Sequence, residues 1–443
     1  MKKKINLLIF GILLSTPYNG GAQDAVPRLT ALNELINMVL EQNYGIRIAR
    51  NEARQAANDN TLGNAGFLPS VDLQGTASKA TNNTRQQMFS GDVREGDNAG
   101  SQTLSAYVEA TWTVFDGLRM FVMRDKLGLL EQTGAVNARY YMEQTVADVA
   151  TAYYQLCTEL SLLNNMHKML QVSRFRFKLE ERKRNIDASS TLAYNLATID
   201  YHSDSLSVIQ QQQVIRGIRI ELCRLARCEP ETEFLPSDSL QISNISSKEE
   251  LIDATVRASS TLQLAQLQEL VAEKDIRLLK AARYPAIDLT GRYSFSKQNN
   301  DIGVTQENRT YGRTFGVTVR MNLYDGGNLN RNIKNQKITI ENMQLDRKDA
   351  TELLAATVTD RWYEYQSLLQ QQALAEENIR LAERSQEIAS AQLQIGAING
   401  YDFRQTQLSV ISAQNRLTSI IFNLKALEIE LARHTGELFN RFM

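Results

Sequence analysis

Hydrophobic and polar positions along this chain alternate between two periods. Leu35, Ile36, Val39, Leu40, Ile46 and Ala49 return at steps of three and four, which predicts a helix from Leu32 to about Ala65. Pro69 ends it and turns the chain extended. From Val71 the period becomes two. Val71, Leu73, Gly75 and Ala77 share one face; Asp72, Gln74, Thr76 and Ser78 share the other. Leu104, Ala106, Val108, Ala110, Trp112 and Val114 likewise oppose Ser105, Tyr107, Glu109, Thr111 and Thr113. This predicts strands over about 71–79 and 103–116, joined by a polar loop. Beyond Gly117 the step returns to three and four. Val146, Val149, Tyr153, Leu156, Leu160 and Leu163 form a coiled-coil seam in a helix that runs to about Asn185. At ~1.5 Å per residue that helix is on the order of 100 Å long. A turn at Asp187-Ala188-Ser189-Ser190 leads into a return helix from about Thr191 to Arg227.

The same order of elements then recurs. Phe67-Leu68-Pro69-Ser70-Val71-Asp72-Leu73 returns as Arg283-Tyr284-Pro285-Ala286-Ile287-Asp288-Leu289, offset by 285 − 69 = 216. Phe115-Asp116-Gly117 returns as Tyr324-Asp325-Gly326, offset by 325 − 116 = 209. Strands are expected over about 287–296 and 314–324, and a second hairpin over about 328–434. The second hairpin turns at Gly396-Ala397-Ile398-Asn399-Gly400, and 396 − 187 is again 209. One unit used twice is the economical reading: a first repeat at 23–228, a linker at 229–246 with Pro230 and Pro236, and a second repeat at 247–443. Within each repeat the order is helix, strand, strand and long helical hairpin.

The first residues change the picture. Lys2, Lys3 and Lys4 precede a short apolar stretch from Ile5 to Leu14, and Gly20-Gly21-Ala22 offers small residues for a peptidase. Residues 1–22 therefore read as a signal peptide and the mature chain as exported. No segment reaches the ~18 apolar residues of a membrane helix, so a membrane crossing would have to use strands. Composition adds little else. A formal net charge of −1 supplies no field that would recruit nucleic acid. Three cysteines, Cys157, Cys223 and Cys228, are not a disulfide framework. A Cys157–Cys223 bridge is conceivable, and buried free thiols are the favoured reading. His167, His202 and His434 fall in no metal-ligand spacing, and no catalytic, cofactor or metal constellation emerges, so an enzyme is not expected.

Four amphipathic strands of about ten residues suit a tilted bilayer crossing, but four cannot close a barrel, and an open edge in lipid is not viable. Two copies would fill their barrel with side chains; three would supply twelve strands and leave a lumen. The polar faces, with Glu109, Asp288, Arg292 and Arg320, need water, so three copies and a conduit are expected. The competing expectation is an exported coiled-coil scaffold whose strands form a soluble sheet.

At this point the chain resembles the TolC-like outer-membrane efflux protein family. The resemblance rests on Leu40-Glu41-Gln42-Asn43 with Ile46 and Ala49, the Pro69 and Pro285 strand entries, the Asp116-Gly117 and Asp325-Gly326-Gly327 strand exits, and Ile395-Gly396 before the second turn. It implies a mainly α fold with a β-barrel part: a homotrimer whose twelve-stranded barrel sits in outer-membrane lipid and continues into a periplasmic α-helical barrel. It also implies partners, namely a periplasmic adaptor (membrane fusion) protein and an inner-membrane transporter, proton-driven in an efflux system. Substrate would leave passively through the channel. The same channel could instead serve type I protein secretion. By this resemblance Asp187, Ser189 and Ser190, and Gly396, Asn399 and Gly400, sit at the periplasmic hairpin tips. Asp402 matches the first position of an acidic ring, and Gln405 stands where the second acid is found. Arg404 is placed to tether the closed entrance by a salt bridge. A helix-start acid near the positive end of its dipole is the plainer account of Asp402.

Overall fold

A computed structural model describes residues 28–186, 190–238 and 240–442. In chain order the elements are β1 (Arg28–Thr30), α1 (Leu32–Gln42), α2 (Tyr44–Asp59), β2 (Ser70–Gln87), β3 (Val93–Phe115), α3 (Arg119–Asn185) and α4 (Thr191–Ala226). After β4 (Phe234–Pro236) come α5 (Lys248–Ala258), α6 (Ser260–Ala281), β5 (Ala286–Asn300), β6 (Glu307–Arg320), α7 (Asn328–Gln394), α8 (Gly400–His434) and α9 (Leu438–Phe442). The signal-peptide expectation lies outside the described residues.

The four long strands make one antiparallel sheet in the order β2-β3-β5-β6. Its register aligns all four alternations. Asp72 pairs with Glu109, Glu109 with Arg292, and Arg292 with Thr314, so each strand's polar set falls on the same side. Leu73, Val108 and Tyr293 align on the other side. Among the described residues β2 and β6 have no partner on their outer edges, so the sheet is open.

Several boundaries differ from the sequence reading, among them β5, which runs on to Asn300, and β6, which already starts at Glu307. β2 and β3 run on to Gln87 and back from Val93, through the stretch expected to be loop. There both faces carry polar residues, such as Thr84 and Arg85 opposite Gly96 and Glu95, so no alternation marks the strand. β6 stops at Arg320, short of the expected 324. The single helix expected from Leu32 also breaks at Asn43, which adopts φ −62°, ψ 126°. Its side chain accepts from the amides of Gly45 and Ile46, and its Nδ2 donates to Leu225 O at 3.0 Å. The second repeat breaks α5 from α6 at Ser259 with φ −59°, ψ 121°. Since 259 − 43 = 216, the break belongs to the repeated unit.

The strand exits also repeat. Asp116 accepts from the amide of Met120 and Asp325 from that of Leu329, which starts α3 and α7. Gly117 between them takes φ 72°, and a Cβ there would stand 2.4 Å from Ala281 O; only glycine fits. Each outgoing helix has 67 residues. Along α3 the seam residues Val146, Val149, Tyr153 and Leu156 are buried in the largest core cluster, with Ile36, Val39, Leu222 and Ile429. Along α7, Val358 and Tyr365 are buried, with Trp362 and Leu369 packed beside them.

The stretch between the repeats is a packed strap. β4 pairs in parallel with β1. Tyr153 Oη donates to Thr30 O at 2.9 Å, and Asp238 accepts from the amide of Leu32 at 2.8 Å. Lys425 Nζ reaches Gln241 O and Glu428, each at 3.0 Å, and Tyr365 Oη donates to Ser243 O at 2.8 Å. The two repeats are thereby joined through hydrogen bonds as well as through α3 packing on α8.

Candidate functional site

Two places carry the residues singled out in the sequence. The first is the end where both hairpins turn. Ser190 caps α4, its Oγ accepting from the Ala193 amide at 3.1 Å, while Asp187 and Ser189 lie outside the described residues. In the second hairpin Gly396 takes the left-handed φ of 75° that ends α7. Asn399 Oδ1 then accepts from the amides of Tyr401 and Asp402, both at 2.9 Å, and starts α8 at Gly400. Asp402 and Gln405 are exposed on the first turns of α8.

Arg404 is turned away from Asp402. Its guanidinium makes a two-pronged contact with Asp204 of α4, at 2.9 and 2.7 Å. Its Nε lies 3.6 Å from Asp200, which Arg176 of α3 holds at 3.0 Å. The four side chains therefore form an alternating chain, Arg176–Asp200–Arg404–Asp204, that ties α8 of the second repeat to both helices of the first hairpin. Arg404 and Asp204 are 13% and 10% exposed. Burial alone would lower the Arg404 pKa, but the hydrogen bond and charge of Asp204, with the charge of Asp200, raise it. The Arg176 guanidinium also passes close to the start of α8: a Cβ on Gly400 would stand 3.2 Å from its Nη2.

The second place is the polar side of the sheet. Arg292 pairs with Glu109 across β3 and β5 and stacks 4.3 Å over the Tyr107 ring. Tyr107 in turn donates to Gln74. Asp288 accepts from Thr113 Oγ1 at 2.7 Å. Arg320, on the same side, ends β6 opposite Ala286. Arg292 and Glu109 thus form an ion pair within one copy, and Asp288 is held by the Thr113 hydroxyl. The opposite side exposes Leu73, Val108, Trp112, Phe315, Val317 and Val319.

Sequence reasoning missed Asp200 and Asp204. They sit on α4 some two hundred residues from Arg404, so no spacing links them; two acids one helical turn apart, Asp200 and Asp204, were the available signal. All three cysteines are free thiols. Among the described residues no group of His, Cys, Asp and Glu gathers to hold a metal ion. No described helix is long and apolar enough to cross a membrane.

Residues 251–437 fit the family model of the outer membrane efflux proteins. No curated protein matches the sequence. The fold is shared with solved outer-membrane channels. The outer membrane protein VceC of Vibrio cholerae superposes with a TM-score of 0.73 at 16% identity, covering 91% of this chain and 96% of that one. The Campylobacter jejuni CmeC outer membrane channel gives 0.76 at 13% identity, covering 92% and 86%. The open-state Neisseria gonorrhoeae MtrE outer membrane channel gives 0.68 at 16% identity, covering 92% and 89%.

Proposed function

We propose that this chain, whose residues 251–437 match the family model of the outer membrane efflux proteins, is the exit duct of a tripartite efflux system. Three copies join β2 of one to β6 of the next and close a twelve-stranded barrel in the outer membrane. The observation that carries this reading is the open sheet. Among the described residues it has two unpaired edges, one apolar side and one polar side that carries the Arg292–Glu109 ion pair. An edge left open in lipid forfeits its backbone hydrogen bonds, and closure by threes restores them around a wet lumen. The apolar side faces lipid, and Glu109, Asp288, Arg292 and Arg320 face the lumen.

The long hairpins continue the wall into the periplasm, where an adaptor protein and an inner-membrane transporter, proton-driven in this reading, deliver small molecules. The duct itself is passive. The turns at Ser190 and at Gly396 to Gly400 form its entrance, with Asp402 and Gln405 directed to the opening. The Arg176–Asp200–Arg404–Asp204 chain holds α8 against the first hairpin and so sets the width of that opening. Residues 1–22 supply the export signal and are removed.

Reconstitution in planar bilayers tests the proposal. Discrete, long-lived conductance steps, together with drug hypersensitivity of a deletion strain, are expected. A silent bilayer with unchanged drug tolerance would leave the coiled-coil scaffold. Co-purification with an ATP-driven exporter in place of a proton-driven pump would redirect the duct to protein secretion.

A further inference from the structure

The C-terminus of α4 carries a feature that transport does not use. α4 ends with Arg227 in the left-handed region, at φ 59° and ψ 38°, a conformation an arginine seldom adopts. The amide of Arg227 turns back to Cys223 O, and the amide of Cys228 donates to the same oxygen at 3.1 Å. This is the six-to-one closure of a Schellman cap, in which the residues at its two ends lie side by side. Usually that contact is between two apolar side chains. Here it is between two thiols, Cys223 and Cys228. An amide-to-carbonyl bond of 3.1 Å between two residues brings their Cα atoms into roughly the ~4.4–6.8 Å range over which a disulfide forms.

The surroundings hold this arrangement in place. Arg227 stacks 3.9 Å over the Tyr44 ring, and Leu225 O accepts from Asn43, so the cap is fixed against the α1–α2 break. Cys223 Sγ faces Thr232 O at 3.8 Å, where the strap between the repeats begins. The third thiol is placed elsewhere: Cys157 faces Asp238 O at 4.0 Å.

We propose that Cys223 and Cys228 are a redox site, a dithiol that closes to a disulfide across the end of α4. Only the oxidising compartment is taken from the export reading; the geometry is the chain's own. The oxidant is a disulfide, small or borne by a protein. The half-exposed Cys228 attacks it as thiolate, forming a mixed disulfide and releasing one thiol of the oxidant. Cys223 then attacks the Cys228 sulfur and releases the second. Two electrons and two protons pass from the pair to the oxidant, which leaves as two thiols. The order follows from environment: Cys223 is buried, and burial, with the neighbouring Cys228, pushes its pKa up to about 12, so it is the slower, resolving thiol. Burial and the Asp238 charge likewise push Cys157 up to about 12 and leave it out of the exchange.

The test uses the full chain, purified in detergent, reduced, freed of reductant and then exposed to oxidised glutathione. Trypsin cuts after Arg224 and Arg227, so the two cysteines fall in separate peptides. These should travel as one mass, two hydrogens lighter than their sum, and separate on reduction. Titratable thiols should fall from three to one in the wild type and from two to none in Cys157→Ser. Cys228→Ser should keep both of its thiols. A glutathione adduct on Cys228 with no linked peptide, a Cys157–Cys223 link, or no reaction overturns the proposal. Conductance of the same sample reports the channel reading separately, so either can fail alone.

Discussion

Replacing Arg404 with alanine removes the central link of the four-residue charge chain. Asp204 then loses both of its hydrogen bonds, at 2.9 and 2.7 Å, in a site where it is 10% exposed. Stripping one partner from a buried ion pair costs ~3–5 kcal/mol, because the remaining charge stays desolvated. Here the lower end applies, about 3 kcal/mol. Some water reaches the pair, and Asp200 keeps Arg176 at 3.0 Å. The effect is local, at the start of α8, so native-state amide exchange is the suitable assay. At about 1.4 kcal/mol per decade, amides of Gln405 to Val410 should exchange on the order of 100-fold faster, with the Leu424 to Leu431 segment unchanged. Asp204→Ala should do nearly the same. Residues in direct contact couple by ~0.5–3 kcal/mol, so the double variant should cost less than the two single changes added together. Exchange within threefold of wild type in Arg404→Ala, or strict additivity in the double variant, would refute the reasoning.

The remaining expectations concern assembly, leak and the helix break. A lysine at Val317, 66% exposed on the apolar side of β6, should weaken barrel assembly by about 2–4 kcal/mol, whereas a lysine at its neighbour Thr318 should be tolerated; trimer yield on a native gel reads both. Asp402→Ala should raise the resting conductance if its carboxylate lines the entrance, and unchanged conductance and antibiotic sensitivity would reduce Asp402 to a helix-start acid. Asn43→Ala should cost about 2 kcal/mol, since it loses both the cap of α2 and the bond to Leu225 O; a melting temperature equal to wild type would contradict that account.

Much of the architecture is legible because each element sees two environments. Val71 to Ala77 and Leu104 to Val114 alternate because one side of the sheet is apolar and the other polar. The seam from Val146 to Leu156 keeps its step because α3 meets neighbours along one stripe. Where an element sees a single environment the signal vanishes. The outer halves of β2 and β3, around Thr84 and Glu95, are exposed on both faces and carry no period. The break at Asn43 is hidden for the opposite reason: Val39 and Ile46 are both buried, so the apolar step continues across it. Asparagine ahead of Tyr44-Gly45 was the sign of a new helix start. The Arg404 contact is a product of tertiary packing between repeats, and the two acids of α4 one turn apart do not name their partner.

The central claim is that an open four-stranded sheet closes by threes. Light scattering with refractive-index and absorbance detection gives the protein mass of the detergent-extracted particle. The account predicts three copies of the chain per particle. A monodisperse monomer would leave β2 and β6 unpaired in lipid and contradict the shared barrel.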